Sequence, residues 1–327
     1  MKKEIVIREK NINFSVNPFI ECLGVAFILA EFTLNKPRTN KKYVQLIKKT
    51  FSSHKSHRFV EKIKTLLEKP GFKYDAPVEM ALSMWRKKEP SKQLLERAGL
   101  TKKEYKILFK DMINFIETSN FYEFFTENQS YYANNLCQYI KDINQHSPQA
   151  YLFNFLGLDS NNLNIVLMFG VSTANYGIKI NKNIYCCIRP YKESRFGNEI
   201  DFCYDLTYMT TLILHEFAHS FINPITATYK KKIDNIDKQH FQLAFQKNPY
   251  GEHKETVVNE TIIRTIECLY VKKHFIESYQ KIKQDYINDG FIYIPQLEIA
   301  FDNYLSKRNC FKTIKEFYLE LIKIFNE

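Results

Sequence analysis

The sequence predicts a mostly helical α+β fold with one small antiparallel sheet, and three observations lead there. Only nine Gly and ten Pro punctuate 327 residues, which favours helices joined by short connections. Most of the chain repeats its apolar residues at helical spacing. β-prone runs bounded by Asn, Ser and Gly cluster between residues 163 and 189. With 45% hydrophobic residues the chain can bury a sizeable core, as one large or two closely joined domains.

In chain order, Ile5-Val6-Ile7 and Ile12 to Val16 read as two short strands, and Asn17-Pro18 starts a helix that runs to about Phe32. Amphipathic helices follow at Lys42 to Phe51 and His57 to Glu68. Pro70-Gly71 breaks the pattern, and Pro77 to Arg86 resumes it. Thr101 and Glu104 form a capping box that opens a helix to about Glu117. Another helix is expected from Phe121 to Ile143. After Pro148 the character changes, with strands expected at Leu163 to Phe169, Tyr176 to Ile180 and Ile184 to Arg189. A provisional boundary therefore falls near residue 148, dividing a helical N-terminal region (1–148) from a second region (149–327). A single continuous unit fits the pattern almost as well.

The second region holds Leu214-His215-Glu216-Phe217-Ala218-His219-Ser220, an H-E-x-x-H sequence in an apolar, helix-forming context. Asp205 or Thr207 can cap the start of this helix, and Asn223-Pro224 is expected to stop it. At 3.6 residues per turn, positions i and i+4 stand one above the other, so His215 and His219 can direct two imidazole nitrogens at one metal ion. Glu216, about 100° further round the helix, falls beside that ion, where a carboxylate can take a proton from metal-bound water. The expected metal is zinc, and Glu216 is the expected catalytic base. A long metzincin pattern would need Gly and a third His where this chain has Ile222 and Ile225.

A later helix, from about Lys254 to Lys273, offers the remaining ligand. Its helical wheel places Glu255 nearer the centre of the apolar stripe than Glu260, with Glu252, His253 and Glu267 also close in sequence. Asn259-Glu260 followed by Arg264 resembles the glutamate helix of gluzincins, a branch of the zincin metallopeptidases. The chain is more closely similar to a bacterial family of unknown function that carries H-E-F-x-H-S-F-x-N-P and then a helix with E-[ST]-x-[VI]-R. Here those residues are His215 to Pro224 and Glu260 to Arg264, within a specific match from about Asp205 to Tyr270.

That resemblance implies a zincin-like fold with the sheet beside the metal helix. It also implies His215, His219 and Glu260 as zinc ligands, Glu216 as general base, and a metallopeptidase acting on peptides or proteins. Zincins commonly pair an extended substrate with an edge strand, and Ile184 to Arg189 is the candidate edge. Where gluzincins often place an Asp four residues after the glutamate ligand, this chain has Arg264, so its zinc-bound His must be oriented differently. Arg264, Tyr250 and His253 are the candidates for supporting a ligand or an oxyanion. Lys238 to Gln246, Pro295 to Leu305 and Phe311 to Phe325 complete the expected helices.

The formal charge of +11 raises the alternative of a zincin-like protein without peptidase activity that binds a partner or nucleic acid through its basic surface. The Lys and Arg are dispersed, however, and no recognition motif or glycine-rich phosphate loop accompanies them, so no specific nucleic-acid partner is expected. Seven scattered Cys without C-x-x-C spacing read as reduced thiols. The N-terminus lacks the apolar stretch of a secretory signal, and Pro18 to Phe32 is too short to span a bilayer and is interrupted by Glu21 and Glu31. A cytoplasmic location is the corresponding expectation.

Overall fold

A computed structural model describes residues 4–32, 41–69, 72, 74–159, 162–171, 174–189, 205–248 and 252–326. The fold is α+β, mostly helical, with one five-stranded sheet. The chain divides into two compact units, residues 1–142 with 162–204, and residues 143–161 with 205–327. They are not the two halves on either side of residue 148, because the strands after that point pair with strands at the N-terminus. No helix among the described residues is long and apolar enough to cross a membrane.

The first unit contains β1 (Ile5–Glu9), β2 (Ile12–Val16), α1 (Pro18–Leu29), α2 (Lys41–Phe51), α3 (Arg58–Leu67), α4 (Ala76–Trp85), α5 (Lys92–Ala98), α6 (Lys102–Thr118) and α7 (Phe121–Glu127). α8 (Gln129–His146) crosses the division between the units. In place of one helix from Phe121 to Ile143, Asn128 ends α7 by turning its amide onto the Phe124 carbonyl at 2.9 Å. β3 (Leu163–Leu167), β4 (Tyr176–Ile180) and β5 (Asn183–Ile188) complete the unit. The sheet order is β1-β2-β3-β5-β4, with antiparallel pairs at the two ends and parallel pairs between β2, β3 and β5.

The sheet is therefore mixed and not antiparallel. The expected substrate-lining edge is also corrected: β5 lies between β3 and β4, with both sides paired. Its continuous buried run, Ile184 to Ile188, is what an interior strand requires, whereas β4 reads as an edge by alternating buried and more exposed positions. The sheet belongs to the first unit and the H-E-x-x-H helix to the second.

The second unit comprises α9 (Pro148–Leu156), α10 (Leu206–Thr228), α11 (Lys230–Asp234), α12 (Gln242–Lys247), α13 (Lys254–His274), α14 (Ile276–Asn288), α15 (Ile294–Ser306) and α16 (Ile314–Ile324). α10 packs on α9 and α13, and α13 also packs on α14 and α15. α10 does not stop at Pro224 but runs one more turn to Thr228. Proline there removes the bond to the Ser220 carbonyl. The extra turn is held from outside, because the buried Thr226 hydroxyl bonds both Asn259 of α13 and Tyr318 of α16.

Packing in the first unit centres on α1, whose residues from Pro18 to Leu29 are all buried. A helix apolar on every side belongs in a core, and Asn17 starts it by accepting from the Phe19 and Ile20 amides at 2.9 and 3.2 Å. Gly24 packs on Gly170 so closely that a Cβ on Gly24 would stand 2.5 Å from the Gly170 Cα. Glu21 is the exception to the apolar surface. Its carboxylate accepts from the Phe169 amide at 2.8 Å and from the Tyr43 hydroxyl at 3.1 Å. Burial pushes its pKa up to about 7, against the opposing pull of those donors.

Between pH 4.5, the ordinary value, and about 7 the folded chain keeps a proton that the unfolded chain releases. This contribution is full below the lower value and is lost as pH rises through the upper one, a fall of up to about 3 kcal/mol at 1.36 kcal/mol per unit. Urea unfolding across this window should therefore show wild-type stability declining relative to Glu21→Gln, which has no proton to lose. A constant difference between the two from pH 4.5 to 8 would show that Glu21 is ionised throughout.

Candidate metal centre

α10 begins where the Asp205 carboxylate accepts from the Tyr208 amide at 3.0 Å. The hydroxyls of Thr210 and Thr211 return to carbonyls of their own helix, each at 2.8 Å, so these polar groups enter the core satisfied. Ile213, Leu214, Phe217, Ala218 and Ile222 are buried and fix the helix by packing. His215 and His219, one turn apart, are left partly open, with side chains 13% and 19% exposed. α13 is buried on nearly all sides, and its own polar groups, Glu260, Arg264 and Glu267, recur at i, i+4 and i+7 along one face.

The packing of these helices brings three donors together. His215 Nε2 and His219 Nε2 are 2.9 Å apart, and the Glu260 oxygens lie 3.7 Å from the first and 3.4 Å from the second. Donors held 2.0–2.1 Å from one zinc at tetrahedral angles stand about 3.3–3.4 Å from one another, so these separations suit a single ion. Among the described residues, His215, His219 and Glu260 are the His/Cys/Asp/Glu group that could hold a metal.

Outer partners orient both rings. His215 Nδ1 meets Glu267 Oε1 at 2.5 Å, and His219 Nδ1 meets Asn223 Oδ1 at 3.1 Å. An acceptor at each Nδ1 favours the tautomer with hydrogen there, which leaves both Nε2 lone pairs facing the shared point. Two lone pairs and a carboxylate so placed repel unless a cation lies between them. Burial would depress the pKa of His215, but Glu267 and then Glu260 outweigh it and push it up to about 9. Burial, and then the charge of His215, hold His219 below its usual value. The donor set fits zinc, because imidazole and carboxylate are its usual nitrogen and oxygen ligands.

Glu216, the expected base, is buried on α10 and close enough to His215 to act on it electrostatically. Arg264 does contact a carboxylate of the site, reaching Glu260 Oε2 at 3.1 Å. The other candidates separate from the cluster. His253 is exposed at the start of α13, and Glu252 pairs with Lys238 on the surface. Both line an open cleft of about 530 Å³ together with Glu255 and Asn223. Tyr250 lies outside the described residues.

On the sequence alone Glu267 reads only as a competing ligand; in the structure it orients His215 instead. Its signal was available, since seven residues bring a helix back to within about 20° of the same face. Neither a curated protein nor a solved structure matches the chain. A family model described as "Domain of unknown function (DUF4932)" matches residues 26–324. That match spans nearly the whole sequence and includes α10 and α13, so the chain belongs to the DUF4932 family.

Proposed function

We propose that the chain is a zinc-dependent hydrolase, a gluzincin-like metallopeptidase acting on peptides or proteins. The observation that carries this reading is the convergence of three donors at 2.9–3.7 Å, with both imidazoles oriented from behind and partly open in front. Structural zinc sites are closed by four protein ligands, whereas catalytic sites use three and keep one position open. Here the donor set has three members among the described residues.

Bound there, zinc would polarise a substrate carbonyl and make the water beside it more acidic. His215, His219 and Glu260 would hold the ion, while Glu267 and Asn223 keep the two rings turned inward. Glu216 would accept a proton from the attacking water and deliver it to the leaving amine. What supports that role is its place next to His215 on the same helix and its electrostatic influence on that imidazole.

Protein purified without added metal should carry about one zinc per chain, and His215→Ala or His219→Ala should lose it. Elemental analysis finding no zinc in the wild type at neutral pH, without chelator, would overturn the reading. Glu216→Gln should retain zinc and fold yet leave a peptide library uncut, because an amide cannot take the proton; cleavage at the wild-type rate would remove Glu216 from the base role. Glu260→Gln should weaken zinc binding at least about tenfold, as loss of a ligand charge implies, while Glu255→Gln leaves it unchanged. Equal losses in a chelator competition would contradict the ligand assignment.

A further inference from the structure

We propose that Tyr286 of α14 is a positioning residue for the metal centre, acting on His215 through Glu267 and on Glu260 through Arg264. The proposal rests on the metal-site reading above. The Tyr286 hydroxyl donates to Glu267 Oε2, while Glu267 Oε1 holds His215 Nδ1 at 2.5 Å. With both oxygens engaged, the carboxylate is fixed against rotation and so is the imidazole beyond it. The Tyr286 ring also serves the second ligand. The Arg264 guanidinium lies 4.7 Å from the Tyr286 and Phe291 ring centroids, and from there it reaches Glu260 Oε2 at 3.1 Å. Two aromatic faces restrict a long side chain that would otherwise sample many rotamers.

The end of α14 is built to deliver both rings. Gly290 takes φ 98°, and the Phe291 amide returns to the Tyr286 carbonyl at 3.1 Å. A Cβ at Gly290 would strike the Ala244 backbone at 2.4 Å, so the turn has no room for a side chain. A phenylalanine at 286 would keep the ring faces and the packing. The hydroxyl is needed only for the buried carboxylate behind His215.

Zinc affinity of the full chain, measured by competition with a chromophoric chelator, tests the assignment. Tyr286→Phe should weaken binding about tenfold, Glu267→Met by about 10–100-fold, and the double variant no more than about twofold beyond Glu267→Met alone. Tyr286→Leu, which also strips a face from Arg264, should lose more than Tyr286→Phe. Glu267→Asp, which keeps the charge but shortens its reach, should reproduce the about tenfold loss whatever happens to the folding of the Tyr286 variants. A wild type that holds no zinc overturns the metal reading and this proposal with it. A wild type that holds zinc tightly, with Tyr286→Phe unchanged or with its loss undiminished in the Glu267→Met background, overturns the positioning role alone.

Discussion

The arrangement of the second unit depends on one electrostatic constraint. Glu216, Glu260 and Glu267 bring three carboxylates to a largely buried cluster, and Arg264 returns a single positive charge. Two positive charges are missing. Leaving such groups unbalanced in a core costs several kcal/mol per ion even after relaxation, so the cluster must recruit protons or a cation. A divalent metal would supply the balance in one step, at the point where the imidazole lone pairs already meet. The surrounding elements can be understood as keeping that point defined. α10 and α13 supply the donors, Thr226 ties their ends to α16, and α14 braces the face of α13 that carries the acids.

Much of this centre was legible in the sequence, but unevenly. The histidines could be brought to one point because an i, i+4 pair in an apolar helix leaves little freedom in where it points. Glu260 could not be chosen from its helical wheel, which favoured Glu255. The wheel assumes one buried face, and α13 is enclosed on nearly all sides, so the apolar stripe carries no directional information there. The resemblance to other H-E-x-x-H proteins named Glu260 on other grounds. Tyr286 was invisible, because α14 is half-exposed with only Tyr279 buried, and nothing in its local spacing says that one of its tyrosines meets a carboxylate of α13.

The fold was read best where local rules act alone. The Asn17 cap and the Thr101–Glu104 capping box formed as expected because each satisfies its own backbone. Tertiary context overrode local signals elsewhere. Pro224 failed to end α10 because hydrogen bonds from α13 and α16 hold the following turn. The strands were found, and the antiparallel pairs β1–β2 and β4–β5 follow sequence order, but the parallel pairs through β3 do not. Adjacent strands in sequence suggested antiparallel neighbours, whereas β2 arrives from the N-terminus to pair with β3, and β5 enters between β3 and β4. Such long-range choices leave almost no mark on short stretches of sequence.

The cost of the polar face on α13 bears on why it is there. Glu260 and Glu267 occupy positions where leucine would gain about 2–3 kcal/mol of burial each and need no counter-charge. Replacing a buried ionic group by apolar residues of similar volume is often neutral or stabilising, so stability alone does not call for this network. Its parts are also more specific than charge compensation requires: one carboxylate faces both imidazoles, another turns one imidazole, and a guanidinium held between two rings meets the first. Orientation of this kind is what the proposed metal site would use, since outer partners that fix the rings strengthen metal binding. A helix with no ligand to hold would be better served by the apolar surface that the rest of α13 already has.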